Sequence, residues 1–271
     1  AEQISLSYNS WGVIGDCKIA LRMIVEKLEE QGISSESNLE GKENTMENLI
    51  ESRKKSIVKL RKKLERFRES DQGKWMNAEP LKPQRVLYAI SQHMNENDYL
   101  VTDASASSRW ISAYYPVNFK GRKIITARGV GPTGFGLGAL LGTCVAMQEQ
   151  DPETQGKAVL LTGDGGLMNA GVSDIQTLVE MDCNCTIVVL NNSALGYVKF
   201  GQAILYQRRI IDTNRPATDF AKIGESHGAK CEIVENIEKL DKVMEETSGE
   251  PGVKILDVRV DPNELLPPNL Y

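Results

Sequence analysis

The sequence predicts an α/β fold: a doubly wound parallel sheet with helices on both faces. Two short apolar runs, 158–161 and 186–190, have the length and composition of buried strands, and a helix-like segment separates them. The first run leads into the Gly-Asp-Gly turn 163–165, and the second ends at Asn191 and Asn192. This pattern is typical of a βαβ unit, in which both parallel strands deliver their carboxyl ends to the same edge of the sheet. Open α/β sheets bind ligands at that edge.

The composition is that of an ordinary soluble globular protein. The chain has 271 residues, of which 41% are hydrophobic and 25% charged, so it is long enough to bury a sizeable core. Its net charge of −5 argues against a nucleic-acid partner. The sequence has no apolar stretch near the roughly 18 residues of a membrane span and no secretory signal, so we expect no membrane contact and a cytoplasmic location. The five cysteines form no repeated CxxC pair, which argues against a zinc site or a disulfide framework.

The first part of the chain is predicted to be mainly helical. A short strand that ends at Ile14 leads into an amphipathic helix after Gly15 and Asp16. Residues 33–45 are polar and have the composition of a linker. Residues 46–70 form a charged helix with one apolar stripe. Its lysines and arginines could face an anionic partner, but the acids interspersed among them favour a solvated helix.

The remainder of the chain is predicted to be one α/β domain that starts near Pro80 and Pro83. Apolar runs bounded by turn residues predict its strands, and apolar residues at helical spacing predict its helices. The expected strands are 99–103, 123–128, 158–161, 186–190 and 253–260, with a further strand near 228–231; the expected helices include one that ends at Met147, 220–224 and 237–244.

The residue types at the predicted sheet edge suit a metal ion and a phosphate. Asp164 supplies a carboxylate and Asn192 an amide oxygen, and together with backbone carbonyls these are ligands for Mg²⁺ or Ca²⁺. Gly165 and Gly166, at the head of the following helix, would expose backbone N–H groups to a bound phosphate. The sequence therefore predicts a metal-bridged diphosphate site. The alternative is a plain strand–turn–helix, with Asn at a strand end for its turn propensity.

A second function is also compatible with part of the sequence. Gly129, Gly131 and Gly134 form a GxGxxG pattern between a predicted strand and a predicted helix, and Asp164 could grip a ribose. The protein would then be a Rossmann-type dinucleotide-dependent oxidoreductase. Against this, Pro132 supplies no N–H to a pyrophosphate turn, and the hypothesis gives the two asparagines at the second strand end no role.

The Gly-Asp-Gly turn 163–165, followed by a helix, a strand and the pair Asn191-Asn192, resembles the thiamine-diphosphate (ThDP) motif of the acetolactate synthase, pyruvate oxidase and benzoylformate decarboxylase family. The resemblance implies ThDP and Mg²⁺ as cofactors. It assigns the metal to Asp164, Asn192 and the main-chain carbonyl of Ala194. The spacing is one residue longer than in typical acetolactate synthases, with the extra residue expected near 170–171.

The same resemblance implies a set of cofactor-binding residues. The aminopyrimidine would lie against the backbone at Gly131, and Thr133 stands where the family carries a bulky wedge. Ser107 belongs to a Ser-Ala-Ser segment that replaces the family's usual Gly-Gln-His turn. Tyr197 follows Gly196 in a segment similar to the family's Leu-Gly-Met-Val stretch over the active site. The full implied set is Ser107, Gly131, Thr133, Gly163, Gly165, Gly166, Asn191, Gly196 and Tyr197.

By this resemblance, residues 1–34 are the end of the family's middle domain, residues 35–78 a linker with a charged helix, and residues 79–271 the diphosphate- and Mg-binding domain. The implied activity is that of a decarboxylase or carboligase acting on a 2-keto acid. Family members use an activating Glu from an N-terminal pyrimidine-binding domain, so we expect that residue outside this chain, in a missing domain or a separate subunit. A homo-oligomer, at least a dimer, is implied too. A non-catalytic module of the same fold remains the further alternative.

Overall fold

The computed structural model describes residues 16–31, 43–117, 123–151, 155–264 and 266–267. The chain divides into two compact units, Ala1–Phe67 and Arg68–Tyr271, and each is described by itself. The predicted domain limits 1–34, 35–78 and 79–271 stay predictions.

In the first unit, helix α1 (Cys17–Glu30) forms where the sequence predicts it. The Asp16 carboxylate caps it by accepting hydrogen bonds from the backbone N–H groups of Lys18 and Ile19 at 3.0 and 3.1 Å. Such a cap satisfies N–H groups that have no partner within the helix. The predicted strand that ends at Ile14 lies outside the described residues.

Helix α2 (Glu43–Trp75) is longer than the predicted helix 46–70. It begins inside the segment predicted to be a linker, and it continues through the last turn because Trp75 is buried there, with its ring 6.2 Å from those of Tyr88 and Tyr114. The Tyr114 hydroxyl also donates to the Asp71 carboxylate at 2.6 Å. Tertiary contacts of this kind determine where α2 ends. The composition of the segment alone does not predict that end.

The second unit contains a parallel sheet of six strands, which confirms the predicted fold class. The strands are β1 (Tyr99–Thr102), β2 (Ile124–Thr126), β3 (Ala158–Gly163), β4 (Cys185–Asn191), β5 (Lys230–Val234) and β6 (Val253–Arg259), in the order β2-β1-β3-β4-β6-β5. All neighbouring strands run in the same direction. Their carboxyl ends therefore meet at one edge.

The helices that follow α2 in this unit cover both faces of the sheet. A separate cluster of buried apolar side chains lies beneath the helices on each face. These helices are α3 (Pro83–Gln92), α4 (Ala106–Tyr114), α5 (Phe135–Gln148), α6 (Asp164–Ala170), α7 (Asp174–Glu180), α8 (Gly196–Leu205), α9 (Phe220–Ser226) and α10 (Ile237–Ser248). Over the described ranges, the helices lack the combination of length and apolarity that crossing a membrane requires.

The segment between β3 and β4 was predicted to be one helix, and that prediction is wrong. Two short helices, α6 and α7, occupy it, because Gly171 between them adopts a positive φ of 87° that interrupts a helix. The break falls at residues 170–171, where the resemblance to the acetolactate synthase family implies the extra residue. The register is unaffected at the site: Gly163 of β3 pairs with Leu190 of β4, so the residues after both strands leave the sheet side by side.

Candidate functional site

A cavity of about 140 Å³, which we call the central cavity, lies at the carboxyl edge of the sheet between the ends of β1, β3 and β4. The structure brings most of the predicted metal and cofactor residues to its wall. These are Ser107, Thr133, Gly163, Asp164, Gly165, Gly166, Asn192, Ala194, Gly196 and Tyr197. Gly131 and Asn191 are the predicted residues that do not line it.

The two predicted side-chain ligands converge on one backbone group. Asp164 Oδ2 and Asn192 Oδ1 both accept from the N–H of Ala194, at 3.2 and 3.1 Å. Asp164 Oδ1 accepts from its neighbour Gly165 N at 2.8 Å. The Ala194 carbonyl, the third predicted ligand, accepts from Gly196 N at 2.9 Å. The acid oxygen of Asp164, which follows β3, thus lies beside the loop 192–195, which contributes the amide oxygen and the backbone carbonyl.

The electrostatics of Asp164 favour a cation. Its side chain is buried, with 8% of the residue exposed, and burial raises the pKa of the carboxyl, although the N–H groups of Gly165, Ala194 and Ser193 counter that effect. The groups that most affect this pKa include Asp257, which raises it further, and no cation of the described chain. A metal ion at the cavity would supply the missing positive charge.

The backbone conformation of Ser193 and the pairing with residues 213–215 hold the loop 192–195 in a defined conformation. Ser193 has a φ of 50°, in the left-handed region, which turns the chain sharply after Asn192. The loop then pairs antiparallel with residues 213–215: Leu195 N donates to Thr213 O at 2.8 Å and Arg215 N donates to Ser193 O at 2.7 Å. Two strand-like hydrogen bonds therefore fix the loop that carries the predicted ligands.

Two of the glycines that line the cavity stand where a side chain would not fit. A Cβ on Gly166 would lie 2.5 Å from Asp103 Oδ2 and 2.6 Å from Thr162 Oγ1. A Cβ on Gly196 would lie 2.9 Å from Asn192 Nδ2 and would press on a predicted ligand. Glycine is the residue that allows this close approach of backbone to neighbouring groups.

The glycine-rich loop before α5 is tied to the end of β1 by Asp103. Gly134 N donates to both oxygens of the Asp103 carboxylate, at 3.0 and 3.2 Å, and Ala104 N donates to Oδ1 at 2.7 Å. Gly131 has a φ of 68° in the same loop. The Asp103 carboxylate therefore lies at the head of α5, where the pyrophosphate of a dinucleotide would have to bind. Its negative charge at that position argues against the dinucleotide hypothesis.

Ser107 and Asn191 make hydrogen bonds to other groups of the protein. Ser107 is buried, and its hydroxyl donates to the carbonyls of Asp103 and Ala104 at 3.0 and 3.2 Å, so the hydroxyl has an acceptor inside the protein. Asn191 is also buried, and its amide donates to Thr218 O at 3.0 Å and to Asp257 Oδ1 at 2.8 Å. Asn191 therefore braces the loop rather than lining the cavity.

Sequence reasoning missed several residues of the site. Pro83, Trp110 and Val260 line the central cavity, and Asp103 supports it from below. Asp103 had a usable signal, since it is the acid at the carboxyl end of a predicted strand, as Asp164 is just after another. The others come from segments far away in the sequence and carry no local signal.

Two larger cavities adjoin the central cavity and share lining residues with it. A cavity of about 340 Å³ shares Asn192 and Gly196 with it, and another of about 530 Å³ shares Asp164 and Gly165. An elongated ligand bound at the loop 192–195 has room to extend on either side.

The donor set fits Mg²⁺, which prefers a few protein oxygens together with phosphate oxygens. Within the described ranges, no group of three or more His, Cys, Asp or Glu side chains could hold a metal ion. The predicted set is of another kind, since it has one acid, one amide and one carbonyl. Such a site needs further oxygens from a ligand such as a diphosphate.

A comparison with protein-family models matches residues 103–258 to the C-terminal TPP (thiamine pyrophosphate, another name for ThDP) binding domain of thiamine pyrophosphate enzymes. The match begins at Asp103, at the end of β1, and ends within β6. It covers more than half of the chain and contains Asp164 and Asn192.

Curated relatives are acetolactate synthase large subunits. The chain is 28% identical over 265 residues to the probable acetolactate synthase large subunit of Methanocaldococcus jannaschii, covering 94% of this chain and 40% of that protein. It is 28% identical over 254 residues to the large subunit of Haemophilus influenzae, covering 93% of this chain and 40% of that protein. The chain thus spans well under half the length of these relatives.

Two solved structures share the fold. Benzoylformate decarboxylase from Polynucleobacter necessarius has a TM-score of 0.63 at 23% identity, covering 70% of this chain and 35% of that one. The 4-hydroxybenzoylformate decarboxylase of Rhodococcus jostii has a TM-score of 0.59 at 19% identity, covering 68% and 33%. Together with the match to the family, these findings show that the chain belongs to the thiamine pyrophosphate enzymes and carries their C-terminal TPP-binding domain.

Proposed function

We propose that this chain is the part of a Mg²⁺- and ThDP-dependent 2-keto acid decarboxylase or carboligase that holds the metal and the diphosphate of the cofactor. The observation that carries the proposal is the convergence of Asp164 Oδ2 and Asn192 Oδ1 on the N–H of Ala194, in a cavity walled by glycines. The names of the relatives, acetolactate synthase large subunits, support the carboligase branch of this class.

The residues present would divide the work of binding. Asp164, Asn192 and the Ala194 carbonyl would hold Mg²⁺, and the backbone at Gly165 and Gly166 would face the diphosphate. Asp103 would keep the glycine-rich loop close to the sheet through Gly134 N. When bound, ThDP supplies a carbon nucleophile and an electron sink for decarboxylation, while the protein supplies binding and orientation.

Asp164 must be ionised to hold a metal. Burial opposes ionisation, and the N–H groups of Gly165 and Ala194 favour it. A bound Mg²⁺ adds a much larger favourable charge, so metal binding and ionisation of Asp164 should occur together. The buried position also limits the access of water to this carboxylate.

The general base is proposed to come from outside the chain. A Glu of an N-terminal pyrimidine-binding domain or of a separate subunit would activate the cofactor, in a cytoplasmic homo-oligomer. The chain spans 40% of the Methanocaldococcus relative, which leaves room in the whole enzyme for such a segment.

Turnover measurements test this proposal. We expect the purified 271-residue chain, given ThDP and Mg²⁺, to decarboxylate no 2-keto acid, because a general base must lie within hydrogen-bonding reach of its proton. Adding the matching pyrimidine-binding polypeptide should produce turnover that requires both cofactors. Robust turnover by the chain alone would contradict the placement of the base. Absence of ThDP binding by the combined polypeptides would contradict the proposed function itself.

A further inference from the structure

A buried acid outside the central cavity connects the parts of the site. Asp257 lies on β6, beside β4, and is fully buried. Its Oδ1 accepts from the Asn191 amide at 2.8 Å, and its Oδ2 accepts from Phe220 N at 3.0 Å. The Arg259 guanidinium pairs with Oδ2 at 2.9 Å. The carboxylate is therefore fully engaged, and none of its contacts is with the cavity.

The contacts of Asp257 involve the residue just before the loop 192–195 and the helix that follows the segment pairing with that loop. Asn191 immediately precedes the ligand Asn192, and its own oxygen accepts from Ser193 N at 3.3 Å. Phe220 begins α9, just after the segment 213–215 that pairs with the loop. Asn191 also donates to Thr218 O in that segment's continuation. The Asp257 carboxylate thus connects the residue that precedes the loop 192–195 to the chain that follows the segment paired with this loop.

We infer that Asp257 is a positioning residue for the metal site: through Asn191 and Phe220 it sets the conformation in which the loop 192–195 presents its ligands. This inference rests on the proposed Mg²⁺ and diphosphate site. Groups that orient metal ligands through hydrogen bonds affect metal affinity although they do not touch the metal. Asp257 has this relationship to Asn192 through the adjacent Asn191.

The amino edge of the same sheet offers a matched control. Asp98 is buried to a similar degree, with 1% exposed, and accepts from two backbone N–H groups, those of Asn95 and Lys157, each at 2.9 Å. It lies just before β1, away from the cavity. Replacing Asp98 by Asn removes a buried charge of the same kind without affecting the ligand loop.

The test measures metal binding rather than turnover. Mn²⁺ is titrated into the chain combined with the matching pyrimidine-binding polypeptide at saturating ThDP, and bound metal is followed by the relaxation enhancement of water protons. All variants are compared below their melting temperatures, with folding checked by circular dichroism. We expect Asp257→Asn to weaken Mn²⁺ binding by about 10-fold or more, the usual effect of losing a group that orients a ligand. Asp98→Asn should lower thermal stability but leave Mn²⁺ affinity unchanged.

Each alternative result is informative. Mn²⁺ affinity of Asp257→Asn equal to that of the wild type, or an equal loss in Asp98→Asn, would overturn the positioning role. If Asp257→Asn does not fold, Asn191→Ala breaks the same contact while leaving Asp257 paired with Arg259 and Phe220 N, and the same loss is expected. If the wild-type combination shows no relaxation enhancement, the proposed metal site itself fails, whereas a normal wild-type signal that Asp257→Asn leaves unchanged overturns the positioning role alone.

Discussion

Asp98 and Asp164 are buried acids at opposite edges of one sheet, and their surroundings differ in one respect. Each accepts hydrogen bonds from backbone N–H groups. Asp98, at the amino edge, also acts on a cation of the chain, because it raises the pKa of the Lys157 ammonium against the lowering effect of burial. No cation of the described chain is among the groups that most affect Asp164.

The comparison distinguishes two kinds of buried charge among the described residues. One kind lies near an opposite charge of the chain itself, and the other does not. At the amino edge, the Lys254 ammonium is also buried and donates to the Glu250 carbonyl, and the negative charge of Glu250 acts to raise its pKa against the larger lowering effect of burial. At the carboxyl edge, Asp164 faces a cavity with an amide oxygen beside it. Buried charges are normally paired or coordinated to metals, so the unpaired one marks the binding site.

The largest expected effect on stability comes from crowding at the carboxyl edge. Gly166→Ala would place a Cβ 2.5 Å from Asp103 Oδ2, an atom held by hydrogen bonds, so it should lower the free energy of unfolding by about 1–3 kcal/mol. Gly201→Ala is the control. Gly201 lies in α8 with open space beside it, so its replacement by Ala should raise the free energy of unfolding by about 0.5–1 kcal/mol. Urea unfolding measures both, and equal effects of the two substitutions would contradict the described packing.

A smaller effect should appear in the pH dependence. Burial raises the pKa of Asp164 in the folded chain, so its protonation stabilises the fold. That contribution is complete below the pKa of the unfolded chain and is lost as the pH rises through the raised value. Wild type should therefore gain melting temperature relative to Asp164→Asn when the pH is lowered from about 8 to about 4, near the pKa of an unfolded-chain Asp, without metal. Taking the difference cancels the titration of all other groups, and a pH-independent difference would rule out the raised pKa.

Much of this fold could be predicted from the chain itself. The strands before Asp103, Asp164 and Asn191 are short apolar runs that end in polar residues, and parallel pairing then requires their ends to meet. This reasoning located the cavity wall from β3 to α8. It could not locate Asp257, because its partners Asn191 and Phe220 are 66 and 37 residues away and only tertiary structure brings them together.

The assignment of Asn191 shows a different limit. Two adjacent residues at a strand end were both expected at the cofactor, but successive side chains of a strand point to opposite faces. Asn192 reaches the cavity and Asn191 turns into the protein toward Asp257. The end of α2 is a third case, since the burial of Trp75 against aromatic rings of later helices has no signature in the local composition.

The central claim is that Asp164 lacks a cation because a metal bound with ThDP supplies it. The most direct measurement is isothermal titration of ThDP into the complete enzyme with and without Mg²⁺, for the wild type, Asp164→Ala and Asp98→Ala. Metal-dependent binding should disappear in Asp164→Ala, while its circular dichroism spectrum remains that of a folded chain, and Asp98→Ala should retain the metal dependence. Unchanged, Mg²⁺-dependent affinity in Asp164→Ala would contradict the account.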